Sequence, residues 1–127
     1  SGVSDLSEDK DRSYGWLFIC FRIWLAHLCW VKKPDVIVYE KAHHRGEAAT
    51  QICVNLTGLV QEVGAQQNIP VRNVMANTLK KFATGNGKAS KAEMVEAAQV
   101  WVDKDITSND EADAIHLARW GHKHVTL

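Results

Sequence analysis

The chain has 127 residues, 46% apolar and 24% charged, enough to bury one real core and too few for two, which predicts a single domain over residues 1–127. Fifteen Lys and Arg balance fifteen Asp and Glu, so there is no global basic bias of the kind that marks a nucleic-acid binder, and any such binding must come from a local patch. No apolar run reaches the roughly 20 uninterrupted residues of a membrane helix, and Ser1-Gly2-Val3-Ser4 lacks the start of a signal peptide, so the reading is cytoplasmic with no membrane partner. Cys20, Cys29 and Cys53 are odd in number, sit in apolar patterns and lack metal-ligand spacing, which predicts buried thiols.

Val3 to Leu6 reads as a first short strand. The acidic stretch Ser7-Glu8-Asp9-Lys10-Asp11 then suits a helix N-terminus, and a helix follows from about Arg12 to Val31. At 100° per residue Leu17, Phe21, Trp24, Leu28 and Val31 line one face, expected to pack on a sheet. Trp16, Ile19, Ile23 and Trp30 lie roughly opposite, and a monomeric surface helix does not ordinarily expose such a stripe. It is expected to be covered by an oligomer contact, in a homodimer or higher homo-oligomer. Arg22 and His27 interrupt this apolar stretch and Lys32-Lys33 close it.

Pro34 breaks the chain, and the β-branched run Asp35-Val36-Ile37-Val38-Tyr39-Glu40 predicts a buried strand. From Gly46, the spacing of Ile52, Leu56, Leu59/Val60 and Val63 predicts a helix to Gln67-Asn68, ended by Pro70. Ile69 to Met75 reads as a second, mixed strand, Asn77 to Phe82 as a short helical turn, and Thr84-Gly85-Asn86-Gly87 as a loop. Ser90 to Val102 has helical spacing in Met94, Ala97, Ala98 and Trp101. Ser108-Asn109-Asp110-Glu111 fits a capping box opening a last helix to about Trp120. Alternating strands and helices argue for an α/β layer fold.

A carboxylate ending a buried strand, as Glu40 does, must face the sheet edge or be paired, and ligand sites of open α/β sheets lie at the carboxyl ends of strands. Asp110 and Asp113 are three apart, hence on one helix face that Leu117 and Trp120 continue, so both acids are expected to point inward. The alternative is ordinary: first-turn acids complementing the helix dipole, and Glu40 in an ion pair with Lys41, Arg45 or Lys80. Lys80, Lys81, Lys88 and Lys91 surround a glycine loop whose free backbone N–H groups would suit phosphates; the alternative is a solvated surface loop. His43 and His44 follow Glu40 closely enough to approach a phosphate or metal, against a plain polar turn. His116, His122 and His124 form at most a loose metal tract.

Three segments together resemble the RuvC-type Holliday junction resolvases of the ribonuclease H-like superfamily, particularly the short phage and mobile-element members. Val36-Ile37-Val38-Tyr39-Glu40 is similar to that family's central strand ending in its catalytic glutamate. Leu79 to Lys91, containing Lys80-Lys81 and Gly85-Asn86-Gly87-Lys88, is similar to its lysine and glycine-x-glycine loop before a helix. Asn109-Asp110-Glu111-Ala112-Asp113-Ala114 is similar to its closing motif of two aspartates. The resemblance runs from about residue 34 to about residue 120. It implies a three-layer ribonuclease H-like α/β fold with about three strands and flanking helices. It also implies a catalytic metal site of Glu40, Asp110 and Asp113 for Mg²⁺ or Mn²⁺, and branched DNA as partner.

The resemblance departs from the family at one point. The strand carrying the family's first catalytic aspartate has no counterpart ahead of Asp5, which sits in the wrong element to replace it. The chain therefore reads as N-terminally truncated, beginning at the family's third strand. The expectation is a resolvase-derived endonuclease fold with impaired or absent activity. The alternative is a catalytically silent, homo-oligomeric DNA-binding or structural protein of a mobile element.

Overall fold

A computed structural model describes residues 14–41 and 46–125, in the order α1 (Tyr14–Lys32), β1 (Ile37–Glu40), α2 (Glu47–Gln66), β2 (Val71–Val74), α3 (Ala76–Thr84), α4 (Lys91–Gln99) and α5 (Asn109–His124). The strand expected at Val3–Leu6, Asp5, the acidic lead-in, His43 and His44 lie outside the described residues. Every helix and strand expected from Pro34 onward is present, with ends shifted by a few residues. Two compact units divide the chain, one of Ser1–Ile37 with Ala42–Val71, the other of Val38–Lys41 with Arg72–Leu127.

In the first unit α1 packs on α2. The buried stripe of α1 is Leu25 and Cys29, while Trp24, Leu28 and Val31, expected on the packing face, are exposed. Helix α1 is apolar nearly all round, so periodicity cannot select a face. On α2 the expected face is met by Val60 and Val63, which are buried together with Gly64. Polar ties reinforce the pair. Gln67 Nε2 donates to the Ala26 carbonyl at 2.9 Å, and Arg22 meets Glu62 at 3.5 Å, an exposed pair worth at most about 1 kcal/mol.

By length and composition α1, at 19 residues, is also apolar enough to cross a membrane, contrary to the expectation that no run approaches a span. One arginine with a long apolar stem does not interrupt such a stretch. The cysteines are all free. Cys29 is buried, which pushes its thiol pKa up, but Cys20 is half-buried and Cys53 is exposed, so burial of all three does not hold.

Helix α2 ends in a Schellman arrangement that turns the chain into β2. Asn68 adopts a left-handed conformation with φ 56°, its N–H donates to the Ala65 carbonyl at 3.4 Å, and the Ile69 N–H donates to the Gly64 carbonyl at 2.8 Å. The tight return brings Ile69 and Val71 against Gly64, where a side chain has no room.

β1 and β2 form a two-stranded sheet. The Ile37 N–H donates to the Pro70 carbonyl at 2.9 Å and the Lys41 N–H to the Val74 carbonyl at 2.8 Å. The partners advance together along both strands, so the pairing is parallel and needs a helical crossover, supplied by α2. In the second unit α3, α4 and α5 pack on one another. Val74, Leu79, Ala89 and Met94 form its buried core, with Val38, Ala83, Leu117 and Trp120 packed against them.

The capping box occurs at Ser90 and Glu93 on α4, where the Glu93 N–H donates to Ser90 Oγ and the Ser90 N–H to Glu93 Oε1, both at 3.1 Å. These bonds hold the Glu93 carboxyl below the usual carboxylate range. On α5 only half of the expected box forms: the Glu111 N–H donates to Ser108 Oγ at 3.1 Å, while the Glu111 carboxylate turns to Lys104, at 3.0 Å.

Candidate active site

Glu40 is the last residue of β1. Strand alternation puts it on the same face as Val38, and Val38 packs into the cluster that includes Leu117 and Trp120 of α5. Asp113 lies one helical turn before Leu117. Val38 of the strand and Leu117 of the helix thus pack against the same core of the second unit.

The two aspartates differ in environment. Asp110 is exposed and Asp113 is half-buried, so the expectation that both point inward is corrected for Asp110, which sits in the water-facing first turn. The Asp113 carboxyl is pushed above its ordinary pKa, first by burial and then by the neighbouring Asp110 charge, with His116, Lys80 and Lys91 pulling the other way. This acid pair has surplus negative charge and two lysines at its edge. Among the described residues no three His, Cys, Asp or Glu side chains are grouped closely enough to hold a metal ion. Glu40, Asp110 and Asp113 therefore do not stand as one assembled ligand group. The donors still suit Mg²⁺ or Mn²⁺ in kind, because carboxylate oxygens are what hard cations take, and Mg²⁺ commonly uses one or two of them plus substrate phosphate.

Of the four expected lysines, Lys80 and Lys91 act on Asp113; Lys81 and Lys88 are exposed beside them. The glycine loop is not the open N–H cradle expected. Gly85, left-handed at φ 86°, caps α3 by donating to the Lys81 carbonyl at 2.8 Å. The Asn86 N–H donates to Thr84 Oγ1 at 3.1 Å, the Lys88 N–H to Asn86 Oδ1 at 2.9 Å and the Ala89 N–H to the Asn86 carbonyl at 3.1 Å. Thr84 and Asn86 take up the N–H groups of Asn86, Lys88 and Ala89 locally, as such side chains do in turns.

The histidine tract separates. His116 is fully buried, with Nε2 2.9 Å from the Met94 carbonyl; His122 and His124 are exposed. Sequence reasoning missed the aromatic and cationic surface formed by Phe82, Trp101, Arg119 and Lys123. The i, i+4 pair Arg119 and Lys123 was the legible half of its signal. Trp101 was expected at helical spacing within the helix from Ser90 to Val102 and instead lies beyond the end of α4, exposed.

No family model matches the chain. Curated relatives do. It is 34% identical over 93 residues to the crossover junction endodeoxyribonuclease RuvC of Pseudothermotoga lettingae, covering 71% of this chain and 57% of that protein. It is 32% identical over 90 residues to the protein of the same description from Prochlorococcus marinus, covering 68% and 56%, and 27% identical over 89 residues to that of Rickettsia conorii, covering 68% and 57%. The chain thus spans a little over half the length of these relatives. Among solved structures, Thermus thermophilus RuvC in complex with a Holliday junction substrate matches with TM-score 0.76 at 15% identity, over 87% of this chain and 68% of that one. A second Thermus thermophilus RuvC structure matches with TM-score 0.74 at 15% identity, over 89% and 74%.

Proposed function

We propose, for a chain related in sequence and fold to the RuvC-type crossover junction nucleases, that it binds branched DNA and carries part of a metal-dependent phosphodiester-cleaving site. The observation that carries the reading is the half-buried Asp113, repelled by Asp110 and flanked by Lys80 and Lys91. Like charges held together at partial burial are costly, and such perturbed groups concentrate at functional sites. Asp110, Asp113 and, from the end of β1, Glu40 would hold Mg²⁺ or Mn²⁺; Lys80, Lys81, Lys88 and Lys91 would hold phosphates on either side. A divalent ion there would supply charge neutralisation at the phosphate and a more acidic water. The side chains themselves orient the strand: lysines grip its phosphates while the carboxylates fix the cleavage point.

Two-ion hydrolysis draws on more oxygen donors than these three carboxylates offer. These 127 residues by themselves are therefore proposed to cleave weakly or not at all while still binding junctions. The test is cleavage of a labelled four-way junction in Mg²⁺ or Mn²⁺, beside Glu40→Gln. Slow metal-dependent cleavage lost in the variant supports the site, as does junction binding without cleavage that weakens as salt rises. Neither cleavage nor salt-dependent junction binding would reject it, and so would cleavage indifferent to Glu40→Gln.

A second reading, of a homo-oligomer, is favoured by α1. Ile23 is 62% and Trp30 71% exposed, and Trp16 and Ile19 beside them are exposed as well. That much apolar surface on one helix is of the kind buried between subunits. In sedimentation the parent chain is expected to run as a dimer or larger and Ile23→Glu as a monomer; a monomeric parent overturns the reading.

A further inference from the structure

The far end of α5 carries a surface that the acidic pair does not use. Trp101 is 57% exposed, and the Arg119 guanidinium lies over its ring, 3.6 Å from the centroid. The same guanidinium is 5.2 Å from the centre of the Phe82 ring, and the Lys123 ammonium is 5.8 Å from it. With Ala118 and His122 these residues line an open cleft of about 630 Å³, which lies wholly within the second unit. Among the described residues neither Arg119 nor Lys123 is in a carboxylate ion pair. Two cations without a carboxylate partner thus lie against aromatic rings, one of which, Trp101, is largely exposed.

That combination selects its ligand by chemistry. A purely anionic partner has no use for the tryptophan, and a purely apolar one leaves two charges to be desolvated without compensation. A nucleotide answers both, with a π-face for Trp101 and the guanidinium plane and a phosphate for Arg119 and Lys123. In duplex DNA the base faces are hidden by stacking; in a single strand they are available, and aromatic platforms beside cations are how sequence-tolerant single-strand binders hold them.

We propose that the Phe82–Trp101–Arg119–Lys123 cleft binds an unpaired nucleotide of single-stranded DNA, the base stacking on Trp101 and the phosphate held by Arg119 and Lys123. It shares with the nuclease reading only that the partner is DNA, and its test needs neither metal nor cleavage, so the two can fail separately.

The test is fluorescence anisotropy in EDTA with a labelled oligothymidylate and a blunt duplex of similar charge. Trp101→Ala is expected to weaken oligothymidylate binding by roughly 5- to 150-fold, the range of one lost base–aromatic stack. Trp101→Phe should restore most of it, and duplex affinity should stay unchanged in both variants. Trp101 and Arg119 lie at the surface, so Arg119→Ala gives an independent measurement with the same expected direction. The proposal is overturned if Trp101→Ala and Arg119→Ala both leave oligothymidylate affinity within about twofold of the parent. It is overturned equally if they weaken duplex binding as much as single-strand binding, or if inorganic polyphosphate competes as effectively as the oligonucleotide.

Discussion

Asp113→Asn is expected to raise the thermal stability of the chain slightly while removing its response to divalent ions. Burial and the Asp110 charge hold the Asp113 pKa above its ordinary value, so the unfolded chain ionises this group more readily than the folded one. Stability from this site is then greatest below the ordinary carboxylate pKa and is lost as pH rises through the raised value. At neutral pH the parent bears that loss in full and the asparagine variant does not.

Solvent screening at this half-buried position keeps the gain to a few tenths of a kcal/mol, or roughly 1–2 °C in Tm. The gain should vanish in acid, where both chains carry a neutral side chain.

Divalent ions are expected to act on the parent and not on the variant. At about ten times its dissociation constant, Mg²⁺ stabilises a folded protein that binds it by roughly 1.4 kcal/mol, and the parent should show this as a rise in Tm. Asp113→Asn should lose it. Where junction cleavage is measurable, the fall should exceed the roughly 10–100-fold typical of changing a group that only supports a metal ligand. Thermal melts with and without Mg²⁺ from pH 4 to 8 decide the matter. An unaltered Mg²⁺ response in the variant removes Asp113 from the site.

Substitutions at the two glycines of α2 should act on stability in opposite directions. At Gly64 an added Cβ would overlap the Val71 Cγ2 atom and stand 2.8 Å from the Ile69 carbonyl oxygen. The valine can turn aside, but the carbonyl belongs to the backbone set by the Schellman return from Gly64 to Ile69. Gly64→Val should therefore cost about 3 kcal/mol, the upper part of the usual overpacking range. Gly58, in the same helix, has open space where its Cβ would be. There alanine removes the flexibility cost of glycine in a helix, and Gly58→Ala should gain about 0.5–1 kcal/mol. Urea unfolding of the two variants beside the parent checks both signs. Equal effects at the two positions would mean that the close approach at Gly64 does not exist.

Local signals in the chain were sufficient for the elements that punctuation and periodicity define. Pro34 and the β-branched run placed β1, Pro70 closed α2, and Ser108 with Glu111 set the start of α5, because caps, breakers and branched side chains act within a few residues. The same signals brought Glu40, Asp110 and Asp113 to the strand end and helix start they occupy. Failures came where the deciding contacts are distant in sequence. The buried stripe of α1 could not be chosen from a helix apolar on every side, and Trp101 was assigned to the helix because its spacing continued that of Met94 and Ala98.

By itself, then, the sequence determined the order of elements, the α/β class and which acids and lysines could form a site, since these depend on local preference and spacing. Tertiary structure decided which carboxylate is perturbed, that the glycine loop spends its donors on itself, and that Arg119 lies against Trp101 and near Phe82. Burial, mutual charge and ring stacking depend on distances between residues far apart in the chain, and those distances exist only once α3, α4 and α5 have packed.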